Sequence, residues 1–506
     1  MGCDNKKDTH NKKKKTNLRM SDYEHIVRCD TINPRVLVAK NEVRGAVTTR
    51  AHELEMQLQE AKKKGVPSGL PFDYVTYCNI GNPQKLKQKP ITFVRQVCAL
   101  LECPELMQTA PGAFAPDAIA RAQRLLDSGF LTGTYSFSKG HALIRQDIAD
   151  FIGARDGVKC DPDTVYCTDG ASAGVRYMLD LLIRQEEKIG IMTPVPQYPL
   201  YASLLCLHHG VQVGYPLNEE TGWSLVPAEL ERSYAEATAQ GVNVRALVVI
   251  NPNNPTGQVL SVECMQEVIR FCVRRRLVLF ADEVYQENLY EDGAKFTSFR
   301  KCAHDMGDDV YSRLELASFH SVSKGFLGEC GQRGGYFQLE NFLPDVHAQL
   351  YKMISIALCS NTMGQVVMDC MVNPPKPGDA SYELYEKEKT DIIASLRRRA
   401  FKLSAALNSL EGFTCAKPSG AMYLFPSVTL PPKAVEAAKA AGMPADTFYA
   451  LHLVEATGIC VVPGSGFGQR EGTHHFRITF LPPEDQIDSV VQSIKKFHSE
   501  FVAQYK

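Results

Sequence analysis

No run of 18 consecutive apolar residues occurs in the 506-residue chain, which excludes an ordinary membrane-spanning helix. The nearest approach, Met353 to Val372, is interrupted by Ser, Asn, Gln and Asp and reads as one core helix. Net charge is almost absent, at −1, so bulk electrostatics point neither to nucleic acid nor to a membrane surface. The 16 cysteines form no Cys-x-x-Cys pair. They are scattered singly, often in apolar runs such as Val97-Cys-Ala-Leu100, the pattern of buried thiols in a reducing compartment. The histidine pairs His208-His209 and His474-His475 lack ligand spacing, so no metal is expected. There is no G-x-x-x-x-G-K loop and no internal repeat.

What charge there is sits unevenly. Residues 1–19 hold seven basic side chains against two acidic ones and almost nothing apolar, so residues 1–20 are expected to be a disordered basic tail. Gly2 and Cys3 hint at acylation, but Lys6 stands where that motif wants Ser or Thr, and membrane association is not expected. The tail is Lys-rich and carries Asp4 and Asp8, unlike a mitochondrial transit peptide. The cytoplasm is therefore the expected compartment, with the mitochondrion as the alternative.

From Glu42 to Lys64 apolar residues recur at helical spacing, ended by Gly65 and Pro67. Two readings stay open: an arm on a partner subunit, or an amphipathic helix on its own domain. From residue 160 strands and helices alternate: Thr164–Thr168, Ile189–Thr193, Val211–Tyr215, Arg245–Ile250, Leu277–Ala281 and Leu314–Phe319 read as strands. Such alternation predicts an α/β fold with a mostly parallel sheet covered by helices on both faces. Ligands bind beyond the carboxyl ends of such strands. Asn373-Pro-Pro-Lys-Pro-Gly378 marks a break, followed by a smaller α+β region.

The unusual residues fall at those strand ends. Lys324 lies in Ser321-Val-Ser-Lys-Gly325, with Arg333 downstream. Asp282 ends an apolar strand, where a carboxylate is costly unless paired, and Tyr285 follows three residues on. Asn254 sits in a Pro/Asn-rich loop. Ala171, Ser172 and Ala173 open a helix, where small side chains and first-turn N–H groups suit a phosphate. This set fits pyridoxal 5'-phosphate. The cofactor needs an amine of lowered pKa for its aldehyde, an acid for its ring nitrogen, donors for its phenolic oxygen and a bidentate cation for its phosphate. Tyr198 reads either as a ring-stacking aromatic or as core. Arg477, inside the alternating strand His475–Phe480, must face solvent or an anion, and is the candidate for a substrate carboxylate.

Asn254-Pro-Thr-Gly257, Asp282-Glu-Val-Tyr285, Ser321-Val-Ser-Lys324 and Arg333 together resemble the class I/II aminotransferase family, of the fold-type I pyridoxal-phosphate group. Tyr74–Pro83, Thr193–Tyr201, Val462–Gln469 and Phe476–Pro483 are similar to its alanine-directed members. The resemblance implies a large domain with a seven-stranded, mostly parallel sheet at 81–372 and a small domain at 373–506, which residues 21–80 join as an N-terminal arm. It implies transamination of L-alanine with 2-oxoglutarate by a ping-pong route, with another donor specificity, aromatic or broad, as the alternative. In that scheme Lys324 forms the imine and shuttles the proton, and Asp282 pairs with the ring nitrogen. Tyr285 and Asn254 hold the phenolic oxygen and Tyr198 stacks on the ring. Ala171, Ser172, Ala173, Ser321 and Arg333 bind the phosphate. Gly81 and Arg477 meet the substrate. Tyr135 reaches the phosphate of a neighbouring subunit, which implies a homodimer with shared sites. One departure stands out: the aspartate-specific relatives carry the phosphate Arg eight residues after the Lys, and here Gln332 holds that place.

Overall fold

The computed structural model describes residues 27–39 and 45–506. The basic tail, Gly2, Cys3 and the start of the helix expected from Glu42 lie outside the described residues. Residues 27–39 carry a short helix, Pro34–Val38, whose first turn is capped by the Asn33 side chain accepting from the Arg35 N–H.

The remainder is built on one sheet. Its strands are β1 (Val165–Asp169), β2 (Ile189–Val195), β3 (Val211–Asn218), β4 (Ser224–Leu225), β5 (Asn243–Ile250), β6 (Val278–Asp282), β7 (Leu316–Ser321) and β8 (Gly334–Glu340). They lie in the order β1-β8-β7-β6-β5-β2-β3-β4. The run β7-β6-β5-β2-β3 is parallel, and β8 is antiparallel to both β7 and β1. The sheet thus has eight strands where seven were expected, the two-residue β4 turning back on β3 at the edge.

Alternate side chains feed two separate cores. Ala246, Val248, Ile250, Val278 and Phe280 join Tyr166, Val175 and Tyr201 on one face. Leu247, Val249, Leu279 and Ala281 join Val268, Phe271 and Phe299 on the other. Both faces are covered by helices, so the strands read as nearly continuous apolar runs.

Met353 to Val372 is not one helix. Pro344–Ser355 and Thr362–Val372 are separate, because Asn361 turns its side chain onto the Gly364 N–H as an N-cap. The helix Ala46–Lys64 ends where Gly65 adopts φ +67°. Its Val47, Ala51 and Leu54 are buried in this chain's own core with Ala450, Leu453 and Val454, and Arg50 pairs with Glu455 at 2.9 Å, so this face of the helix packs on its own domain.

That second core surrounds a three-stranded antiparallel sheet, with Phe476–Thr479 between Tyr423–Leu424 and Val462–Pro463. Thr76–Tyr77 pairs in parallel with Ile459–Cys460, and the Thr479 N–H donates to the Cys78 carbonyl. The chain near residue 80 is thereby laid beside Phe476–Thr479. No described helix is long and apolar enough to cross a membrane.

Behind the sheet, Arg300 is 2% exposed and donates to Glu340, Asp156 and the carbonyls of Val158 and Lys159. Arg300→Met leaves the Glu340 carboxylate without its guanidinium and Asp156 with Arg155 alone. It should destabilise the fold by about 3 kcal/mol, read as a lowered denaturant midpoint.

Candidate active site

The carboxyl ends of the parallel strands open into a cavity of about 230 Å³. Asp282 is the last residue of β6 and Ser321 the last of β7, while Ala171 and Ser172 begin the helix that follows β1. By the alternation of β6, Asp282 falls on the same face as Val278 and Phe280, which is also the face of Tyr201. Gly81, Ala171, Ser172, Tyr198, Asn254, Asp282, Tyr285, Ser321, Lys324, Arg333 and Arg477 all line the cavity. Ala173 does not; its N–H is already spent on the Gly170 carbonyl. Tyr135 is elsewhere, 77% exposed on a loop with Leu131 and Phe137.

Asp282 is buried. One carboxylate oxygen accepts from Tyr201 Oη at 2.8 Å, and the other, Oδ1, has no hydrogen-bond partner. Burial pushes its pKa up to about 6 against the opposing Tyr201 hydrogen bond and the Lys324 charge. A buried carboxylate in this state favours any ligand that brings it an N–H.

Lys324 Nζ donates to the Gly81 carbonyl at 2.8 Å. The depressed pKa expected from the sequence is not found. Burial acts to lower it, but Tyr423, Cys330 and Tyr198 around the ammonium raise it by more, and the net direction is up. A Cβ on Gly81 would collide with the Tyr423 hydroxyl and come within 2.9 Å of Lys324 Nζ. Only glycine leaves room between them.

Arg333 reaches the cavity despite its extra residue. The Gly328 N–H donates to the Lys324 carbonyl and the Glu329 N–H to the Val322 carbonyl, folding the loop back on itself. A 3₁₀ turn, Cys330–Gln332, then takes up the added length, and Arg333 enters β8 from a left-handed conformation at φ +53°. Its Nη2 donates to the Asp169 carbonyl at 2.8 Å and to Ser172 Oγ at 3.3 Å. Gly170 lies so close that a Cβ there would collide with the guanidinium. The first turn of Ala171–Leu182 and Arg333 together form an anion cradle.

Arg477 is 1% exposed. Nη1 donates to Asn254 Oδ1 at 2.9 Å and Nη2 to the Asn79 carbonyl, while Nε has no partner. Among the described ion pairs none involves Arg477, so a buried cation stands without a counter-charge and faces a cavity. Asn254 Nδ2 also donates to Tyr285 Oη at 3.4 Å, and Tyr285 Oη in turn to Tyr423 Oη at 3.4 Å. Tyr423 has a lowered pKa: burial works to raise it, but the Lys324 and Arg477 charges outweigh that.

Sequence reasoning missed Tyr201, Tyr423, Asn79 and Cys330. Tyr201 had a usable signal, since it lies one helical turn after Tyr198 and just beyond a strand end. Tyr423 had none, being an aromatic in an ordinary apolar stretch.

The family description "Aminotransferase class I and II" matches residues 108–494. A "Probable alanine aminotransferase, mitochondrial" from Dictyostelium discoideum is 50% identical over 97% of this chain and 92% of its own length. "Glutamate--glyoxylate aminotransferase 1" from Arabidopsis thaliana is 47% identical over 94% of this chain and 96% of its own. Among solved structures, an alanine aminotransferase from Pyrococcus furiosus superposes with TM-score 0.71 at 22% identity, covering 93% of this chain and all of that one, which bears on the fold alone. With a family match across most of its length and relatives near half identical, the chain belongs to the class I and II aminotransferases.

Proposed function

We propose that this protein is an alanine aminotransferase that uses pyridoxal 5'-phosphate to exchange the amino group of L-alanine with 2-oxoglutarate, giving pyruvate and L-glutamate. The observation that carries the reading is the convergence on one cavity of three complementary demands. These are a buried carboxylate with an unpartnered oxygen at Asp282, an amine at Lys324, and a buried guanidinium without a counter-ion at Arg477. The relative from Dictyostelium supports alanine as donor. The relative from Arabidopsis makes glyoxylate the acceptor to test against 2-oxoglutarate.

The residues present fit the cofactor. Asp282 Oδ1 would take the ring N–H, and its ionised form would keep that nitrogen protonated. Ala171, Ser172, Ser321 and Arg333 would hold the phosphate, and Asn254 and Tyr285 the phenolic oxygen, with Tyr198 against the ring. When bound, the cofactor supplies an electron-accepting ring that stabilises negative charge at the substrate Cα. The chain's own work is positional and acid–base. Arg477 binds the α-carboxylate and fixes the substrate's orientation. Lys324, once neutral, would take the proton from the substrate Cα and, as the ammonium so formed, give it up again to complete the exchange. Ile80, Leu200, Ile250 and Val284 line the same cavity with apolar surface, and so lower the local polarity in which these electrostatic contacts act.

We further propose a homodimer, in the cytoplasm or, as the printed name of the Dictyostelium relative supports, in the mitochondrion. Leu131, Tyr135, Phe137, Ile356 and Leu358 are all about half exposed or more, and the Ser136 N–H to Cys359 Sγ and Thr362 Oγ1 to Thr132 carbonyl bonds join their two loops into one apolar surface. A second copy covering that surface would bury Tyr135, the residue that the family resemblance assigns to a neighbouring subunit's phosphate. Sedimentation of the purified protein checks the homodimer, which a monomer at micromolar concentration rules out, and fractionation of cells decides between the two compartments.

Lys324→Ala should abolish both transamination and the visible absorption of the bound cofactor, measured beside wild-type enzyme producing pyruvate and glutamate. Retained turnover in the variant would refute the assignment. Tyr201→Phe removes the hydrogen bond that opposes burial at Asp282, so that carboxyl should titrate above its present value of about 6. Because the ionised form is the one that pairs with a ring N–H, cofactor affinity should weaken on the acid side. Fluorescence titrations between pH 5 and 8 should show the variant's midpoint displaced to higher pH.

A further inference from the structure

Two aromatic rings lie against the Arg477 guanidinium. Its Cζ is 4.1 Å from the Tyr423 ring centre and 4.8 Å from that of Phe467. Both distances are well inside the range of cation–π attraction, which strengthens when the pair is out of water. Both rings are buried, at 2% exposure each. This matters because the side chain has so few other restraints: two hydrogen bonds, an unpartnered Nε and no carboxylate. A buried arginine usually owes its position to an anion. Here the aromatic faces take over that role without neutralising the charge.

The two rings come from different parts of the fold. Tyr423 is fixed by pairing with Thr479 across the antiparallel sheet. Phe467 ends the 3₁₀ turn Gly464–Phe467, in the glycine-rich loop. That loop is pinned at several points. The Ser465 N–H and Gln469 Nε2 both donate to Asp446 Oδ2, at 2.6 and 2.9 Å. His475 bridges Gln469 and Glu219, and the Gln197 N–H donates to the Phe467 carbonyl at 2.8 Å. Phe467 also meets Phe425 edge-on. A loop rich in glycine is thus held in one place, and the side chain it delivers rests on Arg477.

We propose that Phe467 and Tyr423 are positioning residues for substrate-carboxylate binding, holding Arg477 charged, uncompensated and aimed into the cavity so that its free N–H groups are ready for a carboxylate. The proposal rests on the reading of Arg477 as the carboxylate-binding group. It assigns the glycine-rich loop a role in substrate affinity that is separate from cofactor affinity.

The test uses holoenzyme and propionate, a carboxylate with nothing to transaminate, titrated through its effect on the cofactor's absorption. Phe467→Leu keeps an apolar side chain and removes the π face. Propionate should bind about tenfold more weakly, and the KM values for alanine and 2-oxoglutarate should rise together by a similar factor, with a far smaller change in kcat. Phe467→Tyr should restore all three. Tyr423→Leu should weaken propionate similarly, and it carries the test if Phe467→Leu does not fold. Cofactor affinity, measured separately, should stay at the wild-type value in Phe467→Leu. Wild-type propionate affinity in both leucine variants, or a loss of cofactor affinity in equal proportion, overturns the proposal. A wild-type enzyme that transaminates but does not bind propionate overturns instead the role of Arg477.

Discussion

Burying Asp282 at the end of β6 is the constraint on which the rest of the structure turns. A carboxylate at the inner end of an apolar strand costs several kcal/mol unless it is met by donors. The Tyr201 hydroxyl meets one oxygen and the Val284 backbone N–H lends weaker support, while Oδ1 is left without a close partner. That choice sets the geometry around it. The helix Leu200–Leu207 must begin where Tyr201 can reach the strand end, so the loop carrying Tyr198 is drawn over the same cavity. β6 must lie centrally, because only a strand flanked on both sides and covered on both faces keeps water from the carboxylate. An edge strand would leave Asp282 hydrated, with an ordinary pKa and no preference for an N–H donor.

The parallel run of five strands then does for the other groups what β6 does for Asp282. Each ends on the same side, where Ser321, Lys324 and Asn254 lie, and β1, beyond β8, ends there too with Ala171 following it. β8 breaks the pattern to a purpose. Running antiparallel between β7 and β1, it starts at this same edge, so the residue that leads into it, Arg333, is delivered beside the helix that follows β1. The helix start and the guanidinium that together form the anion cradle are neighbours because two antiparallel pairings were inserted into a parallel sheet.

Asp282, Lys324 and Asn254 could be read from the sequence because each contradicts its surroundings: a charge or amide pressed against an apolar run at a strand's end. The α/β alternation was legible for the same kind of reason, since strands buried on both faces read as unbroken apolar segments. β8 escaped because Gly334-Gly335 masks its start, and those glycines are demanded by contact with the backbone of Gly364 and Gly170 rather than by any turn. The division at 356–361 escaped because an N-cap asparagine inside an apolar stretch looks like a mere interruption. Tyr423 could not have been found at all by local reading, and Phe467 only as a member of the glycine-rich stretch Val462–Gln469. Their significance arises only when segments far apart in the chain are paired, and nothing in either neighbourhood departs from a normal core strand or glycine-rich loop.

The second core adds a division of labour. Lys324, Asp282 and Arg333 stand on the large sheet and its loops, whereas Gly81, Asn79, Tyr423, Phe467 and Arg477 are carried by the small sheet and the segment paired with it. The groups suited to a permanent occupant are therefore held by one core, and those suited to an exchanging carboxylate by another. At the cavity they meet through Lys324 Nζ and the Gly81 carbonyl, through Arg477 and Asn254, and through the Tyr285–Tyr423 hydroxyl pair. Away from it they are joined as well, by the Gln197 N–H to the Phe467 carbonyl, His475 to Glu219 and the Gly420 N–H to the Gly257 carbonyl. The Asp282–Tyr201 pair lies wholly on the large-sheet side, whereas the Arg477–Asn254 bond spans from the small sheet to the large one. An enzyme that must release one oxo acid and admit another, while retaining its cofactor, needs that asymmetry, and here it follows from which strands carry which residues.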